Sequence, residues 1–187
     1  LSSEIDKTDS VVKFINETAV MGISLLPPDI YLSNFSFTVV GGNIRFGLGA
    51  VKGVGESAIE SIREARRQHG RFKSLFEFCE HIDLRACNKK VIEALIKSGS
   101  FDSLDRSRKA LFDDIERAAD GAAKVKDEKE RGQVSLFGAM PVSSLVPKAA
   151  VARTESDEWP VEERLRWEKE TLGFYITGHP LNRFKED

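Results

Sequence analysis

Five consecutive residues, Val51-Lys52-Gly53-Val54-Gly55, are the first whose types and spacing suit a chemical task. They lie between an apolar stretch (Phe46, Leu48, Val51) and a helical pattern over residues 57–67. Glycines let a backbone turn tightly and let another surface come close. The first N–H groups of the following helix, those of Glu56 and Ser57 among them, have no partner within the helix and carry the positive end of its dipole. Together with the mobile charge of Lys52, such a hairpin suits the capture of a phosphate, and a nucleic-acid backbone is the natural source. The same pattern also serves a plain helical corner in which the glycines only turn the chain, because Gly-x-Gly alone is a weak signal.

A looser copy follows. Ile96-Lys97-Ser98-Gly99-Ser100 repeats the order apolar, Lys, small, variable, small, after a helical stretch at 89–96 and before one at 107–119. Two such hairpins can hold the two strands of a duplex across its minor groove. Such contacts reach phosphates alone, so they are independent of sequence. Leu84–Lys90 is an alternative second hairpin, and Arg85, Lys89 and Lys90 are expected to touch the backbone in either case.

Gln133-Val134-Ser135-Leu136-Phe137 suits a different task. Its adjacent Leu-Phe sits in a stretch without periodicity and cannot bury itself on a helix face. Large apolar residues in a polar stretch are anchors for a partner's pocket, and a glutamine can hydrogen-bond at the rim. Gly132 and Gly138 flank the peptide.

Residues for covalent chemistry are missing. The sequence has no phosphate-binding P-loop, no nucleophile elbow and no carboxylate set for two metals. Cys79, His81 and Cys87 give three metal ligands without a fourth, and Cys79 falls on an apolar face with Leu75 and Phe76, which favours the core. His179, in Gly178-His179-Pro180, reads as a turn residue. No catalytic residue, metal or cofactor is expected.

The elements that must position these residues can be read from punctuation. Val11, Val12, Phe14, Ile15, Ala19 and Val20 recur at helical spacing and predict an amphipathic helix ended by Gly22. Pro27 and Pro28 then force an extended path. Phe35, Phe37 and Val39 alternate, Gly41-Gly42 turns the chain, and Ile44 and Phe46 alternate back, which predicts a β-hairpin over 35–47. Short helices follow to residue 122. From 123 to 157 the pattern dissolves into a charged and then Pro-containing stretch that reads as a flexible linker. Pro160 opens a last helix and Gly173 can end it. The fold expected is mainly α with a small β-hairpin near the N-terminus: a tandem helix–hairpin–helix unit, a linker and a C-terminal helix.

The 187 residues carry 28 Lys+Arg against 30 Asp+Glu, a formal charge of −2 that argues against an overtly basic nucleic-acid binder. The average conceals a split: residues 45–109 hold 14 cations and 9 anions, a net of +5, and the rest holds −7. No apolar run approaches the roughly 18–20 residues of a membrane span, and the polar start is no signal peptide. With two cysteines, a reducing, cytoplasmic setting is expected.

Four blocks taken together resemble one family: LLPPDI through IRFGLGAVKGVGE, NKKVIEALIKSGSFDSL, GQVSLFG, and EKETLGFYITGHPL. They are similar to the alpha subunits of bacterial DNA polymerase III, the C-family replicative polymerases. The resemblance implies a division into the end of the fingers region (1–34), a hairpin and tandem helix–hairpin–helix DNA-binding unit (35–122), a linker bearing the clamp-binding peptide (123–157), and a helix leading toward an OB-fold domain (158–187). It implies that Lys52–Gly55 with the next helix start, and Lys97–Ser100, face duplex DNA. It also implies that Gln133, Ser135, Leu136 and Phe137 dock in a sliding clamp, with other replicase subunits as further partners. Ser98 and Ser100 depart from the glycines of the first hairpin. The family's catalytic aspartates fall outside this chain, so the piece is expected to be non-catalytic and its parent a nucleotidyltransferase. A start at Leu1 rather than Met fits an internal slice. Two rivals remain: a helix–hairpin–helix repair glycosylase or lyase with Lys52 as nucleophile, and a scaffold whose hairpins only pack against neighbouring domains.

Overall fold

The computed structural model describes residues 17–18, 21–104, 106–130 and 157–178. Three short strands come first: β1 (Leu25–Leu26), β2 (Thr38–Val40) and β3 (Asn43–Arg45). A 3-10 turn at Leu48–Ala50 leads into α1 (Glu56–His69), α2 (Leu75–His81), α3 (Lys89–Lys97), α4 (Arg108–Asp113), α5 (Ile115–Glu130) and α6 (Val161–Leu172). The chain is mainly helical with a small sheet near its N-terminus, as its pattern predicts.

The hairpin forms around Gly41 and Gly42, whose φ of 57° and 80° match the twist of the flanking strands. It is shorter than the alternation suggests, and it gains a third strand. β1 pairs parallel to β3 in the order β1-β3-β2, placing Leu25 beside Ile44. The prolines at 27 and 28 end that strand rather than preclude it. Of the expected N-terminal helix, Glu17 and Thr18 are helical and Gly22 has φ 73°; the rest lies outside the described residues.

Helices α2, α3 and α4 start where a side chain satisfies their first N–H groups. Ser74 Oγ accepts from Glu77, Asn88 Oδ1 from Lys90 and Val91, and Ser107 Oγ from Ala110. The apolar stripe of α1 (Ala58, Ile59, Ile62, Ala65) is buried with Phe46, Leu48, Phe78, Ile92, Leu95 and Phe101. Cys79 and Cys87 are buried free thiols, pushed up to about 12 chiefly by burial.

Two boundaries differ from the sequence pattern. The helix expected over 107–119 breaks at Asp114, whose carboxylate takes Arg106 at 3.1 Å and Arg117 at 2.6 Å. The second part, α5, then continues through Glu130, past residue 122. Its charged stretch is rich in strong helix formers. Ala118, Ala119 and Ala122 are buried, and its lysines reach back to α2: Lys129 pairs with Glu80 at 2.6 Å and Lys126 donates to the Ile82 carbonyl.

Among the described residues one cation, Arg108, is fully enclosed. Arg108 is 1% exposed and forks onto Asp102 at 2.8 and 2.7 Å, with Glu168 of α6 at 3.0 Å. Burial opposes its charge, yet the hydrogen bond and charge of Asp102, then Glu168, outweigh it and hold the guanidinium above its ordinary range. Glu168, 0% exposed, also accepts from the N–H groups of Ile176 and Thr177 and from the Thr177 hydroxyl. Four donors thus fill its lone pairs. Arg108→Ala leaves Glu168 buried without its counter-charge. The expected loss is about 3–5 kcal/mol of unfolding free energy, read by denaturant titration.

Candidate nucleic-acid interface

The two sequence-related hairpins meet opposite fates. In the first, Lys52, Gly53, Gly55, Glu56 and Ser57 are exposed, while Val51 and Val54 anchor the turn in the core at 2% and 7% exposure. Val54 donates to the Val51 carbonyl at 3.1 Å, and Lys52 donates its backbone N–H to Thr171 of α6 at 2.8 Å. The N–H groups of Gly53, Gly55, Glu56 and Ser57 have no backbone acceptor among the described residues, and no side chain caps α1. They face solvent at the positive end of a 14-residue helix.

The two glycines here have different reasons. Gly53 has φ 84°, which favours glycine. Gly55 has φ −83° and ψ 164°, open to any residue, and a Cβ there would meet nothing within 4 Å. Neither a positive φ nor a close contact requires a glycine at 55; as the N-cap of α1 it leaves a bare backbone facing outward.

The second hairpin is turned inward. Gly99, φ 82°, ends α3 in a Schellman cap: Ser100 donates to Leu95 at 2.9 Å and Gly99 to Ile96 at 3.0 Å. A Cβ on Gly99 would run into the Arg108 guanidinium. Ser98 and Ser100, 1% and 0% exposed, share a hydroxyl hydrogen bond at 2.8 Å. Lys97 is 8% exposed; its ammonium pairs with Glu93 at 2.6 Å and sits 3.8 Å from the Trp167 ring centroid. The expected mobile cation is therefore enclosed, because α6 covers it. The start of the next helix is filled as well. The Glu158 carboxylate accepts from the N–H of Arg108 at 2.9 Å and of Lys109 at 3.1 Å. The repeated pattern thus serves two purposes, an open turn at 51–55 and a helix cap at 96–100.

The alternative hairpin, Leu84–Lys90, joins α2 to α3. The Asp83 N–H donates to Ser61 of α1 at 2.7 Å, and the Arg85 N–H to Asp83 at 2.9 Å. Arg85 and Lys90 are exposed, whereas Lys89 pairs with Asp120 at 2.9 Å. Much of the basic block is neutralised in the same way, by Glu60 on Arg63 and Glu64 on Arg67. Lys52, Arg85 and Lys90 keep their charges toward solvent. Gln133, Val134, Ser135, Leu136 and Phe137 lie outside the described residues, as does His179.

A helix-hairpin-helix family model matches residues 22–111. Curated relatives named DNA polymerase III subunit alpha match as well. The protein from Vibrio cholerae is 39% identical and that from Escherichia coli K12 37%, each over 100% of this chain. That from Mycobacterium tuberculosis is 38% identical over 97%. The chain belongs to the DNA polymerase III alpha-subunit family. It spans 16% of the length of each of these three relatives. Among the described residues no helix is long and apolar enough to cross a membrane, and no cluster of His, Cys, Asp and Glu could hold a metal. His81, read from the sequence beside the cysteines, instead stacks on His69 at 3.6 Å.

Sequence reasoning missed the closure by α6. Glu158 and Glu168 lie some 50–60 residues from Arg108, so no local pattern connects them. Gly53→Ala should cost about 1 kcal/mol through its positive φ, while Gly55→Ala loses only the N-cap preference for glycine, partly offset by the stiffer unfolded chain, and should cost less than about 1 kcal/mol, both read by thermal unfolding. Burial, then the nearby His69, lowers the His81 pKa. With the folded value depressed, the unfolded chain takes the proton first. The contribution of His81 is present above about pH 6.5 and is lost as pH falls toward the folded value. His81→Gln should flatten that part of a stability–pH profile.

Proposed function

We propose that this segment grips duplex DNA through the first hairpin, independently of sequence, as a non-catalytic part of a replicative polymerase. The single observation that carries the reading is the outward face of residues 52–57: unpaired N–H groups, a cation, and a glycine at 55 with open space where a Cβ would stand. A phosphate fits that face by charge and by close approach. Arg85 and Lys90 extend the contact along the backbone, and Lys89 joins once it leaves Asp120. Lys97, Ser98, Gly99 and Ser100 support the interface from within, so the scaffold rival describes the second hairpin. A lyase reading finds no support in an exposed Lys52, since an amine nucleophile needs a desolvated pocket or a neighbouring charge to activate it.

The peptide Gln133–Phe137 is proposed to dock a sliding clamp, with Leu136 and Phe137 as anchors. Two residues, Arg131 and Gly132, lie in sequence between it and Glu130, the last residue of α5. A weak peptide contact to a ring around DNA then raises the effective concentration of the polymerase at the primer end. Polymerisation, and contacts with other replicase subunits, belong to the parent protein in this reading.

Lys52→Ala should weaken duplex binding equally for all sequences and reduce the log–log salt slope by about one, whereas Lys97→Ala should leave the slope unchanged. Fluorescence anisotropy across a salt series measures both, and an unchanged slope for Lys52→Ala removes the first hairpin from the interface. The double variant Leu136→Ala, Phe137→Ala should abolish clamp binding in size-exclusion chromatography without altering the circular dichroism spectrum. Each anchor is worth about 2–4 kcal/mol.

A further inference from the structure

Val39, in the middle of β2, is 79% exposed, and Val40 beside it is 45% exposed. β2 is an outer strand of the sheet. Ile44 donates its N–H to Ser24 at 3.0 Å and Phe46 donates to Leu26 at 2.9 Å, so β3 turns these groups toward β1. Val39 stands opposite Ile44. By the alternation of an antiparallel ladder, Val39 then points its own N–H and C=O away from β3, to an edge that no further strand covers among the described residues.

The register also sets Leu25, Ile44 and Val39 in one row across all three strands. On that face the row runs inward to Phe37 and Phe46, whose rings meet at 4.8 Å, and Phe46 meets Phe174 at 5.5 Å. Beside Leu25 opens a cavity of about 370 Å³, lined by Gly22, Ile23, Leu25, Phe174, Tyr175 and Ile176 among others. An open strand edge, an apolar row and a cavity thus adjoin one another.

Edge strands in folded proteins are guarded by charge, proline or a bulge. Residues 34–42, Asn-Phe-Ser-Phe-Thr-Val-Val-Gly-Gly, contain neither a charge nor a proline. The relatives extend well beyond this segment, which makes up 16% of their length. We propose that an extended segment from elsewhere in the same polymerase chain pairs with β2 at Val39 and covers the row. A segment of the same chain is always present, so the unguarded edge is never left open. A second copy is a poorer occupant, because a three-residue strand offers far less than the roughly 1,600 Å² of a standard interface. The inference rests on family membership and not on phosphate capture.

The test uses the full-length polymerase and reads no DNA affinity, so its failure is separate from that of the DNA-binding reading. Val39→Cys should react with a small alkylating reagent at least about tenfold more slowly than Lys124→Cys, whose site on α5 is exposed, and equally slowly after hundredfold dilution. A photoreactive benzoylphenylalanine at position 39 should cross-link to a peptide of the same chain outside residues 1–187. Reaction as fast as at position 124, protection that disappears on dilution, an adduct to a second chain or within residues 1–187, or no adduct would each overturn the proposal.

Discussion

A guanidinium enclosed at 1% exposure between Asp102 and Glu168 is the interaction on which the arrangement depends. Removing such a charge from water costs several kcal/mol, and only full satisfaction of its partners recovers it. The requirement fixes four places in the chain at once. Gly99 must lack a side chain so that the guanidinium fits beneath it. Asp102 must follow the end of α3, Glu168 must reach in from α6, and residues 176 and 177 must fold back to complete the Glu168 carboxylate. The charge thereby ties the C-terminal helix to the second hairpin across sixty residues.

The helix held in this way also reaches the first hairpin. Thr171 accepts the backbone N–H of Lys52, one turn beyond the Glu168 that holds Arg108. α6 therefore closes one hairpin and braces the other. It takes the Lys52 N–H inward while the lysine side chain stays outside, and it leaves the N–H groups of Gly53, Gly55, Glu56 and Ser57 free to face a ligand. The asymmetry between two similar pentapeptides comes from what covers them and not from their own residues.

Much of this fold was legible in the sequence because it is local. The periodicity over 57–67 marks α1, Gly41-Gly42 marks a turn, and Gly173 marks the end of α6. The first hairpin was equally legible, since its glycines and lysine are contiguous. The second was not, because Lys-Ser-Gly-Ser suits a phosphate turn and a Schellman cap equally well. Only the distant Trp167, Glu158 and Glu168 decide between them. The third strand was hidden for the same reason: Leu25–Leu26 is too short to show a period, and it becomes a strand only beside β3. The persistence of α5 past residue 122 depends on α2, which receives Lys126 and Lys129.

The decisive contrast is between one hairpin whose N–H groups stay open and another that is filled from within. Titrating the isotopically labelled chain with a short duplex, and following its amide resonances by nuclear magnetic resonance, tests it directly. The amides of Gly53, Gly55, Glu56 and Ser57 should move with the duplex and lose their shifts at high salt, while those of Gly99, Ser100, Arg108 and Lys109 should stay in place. Movement of the second set with the first set still would contradict it.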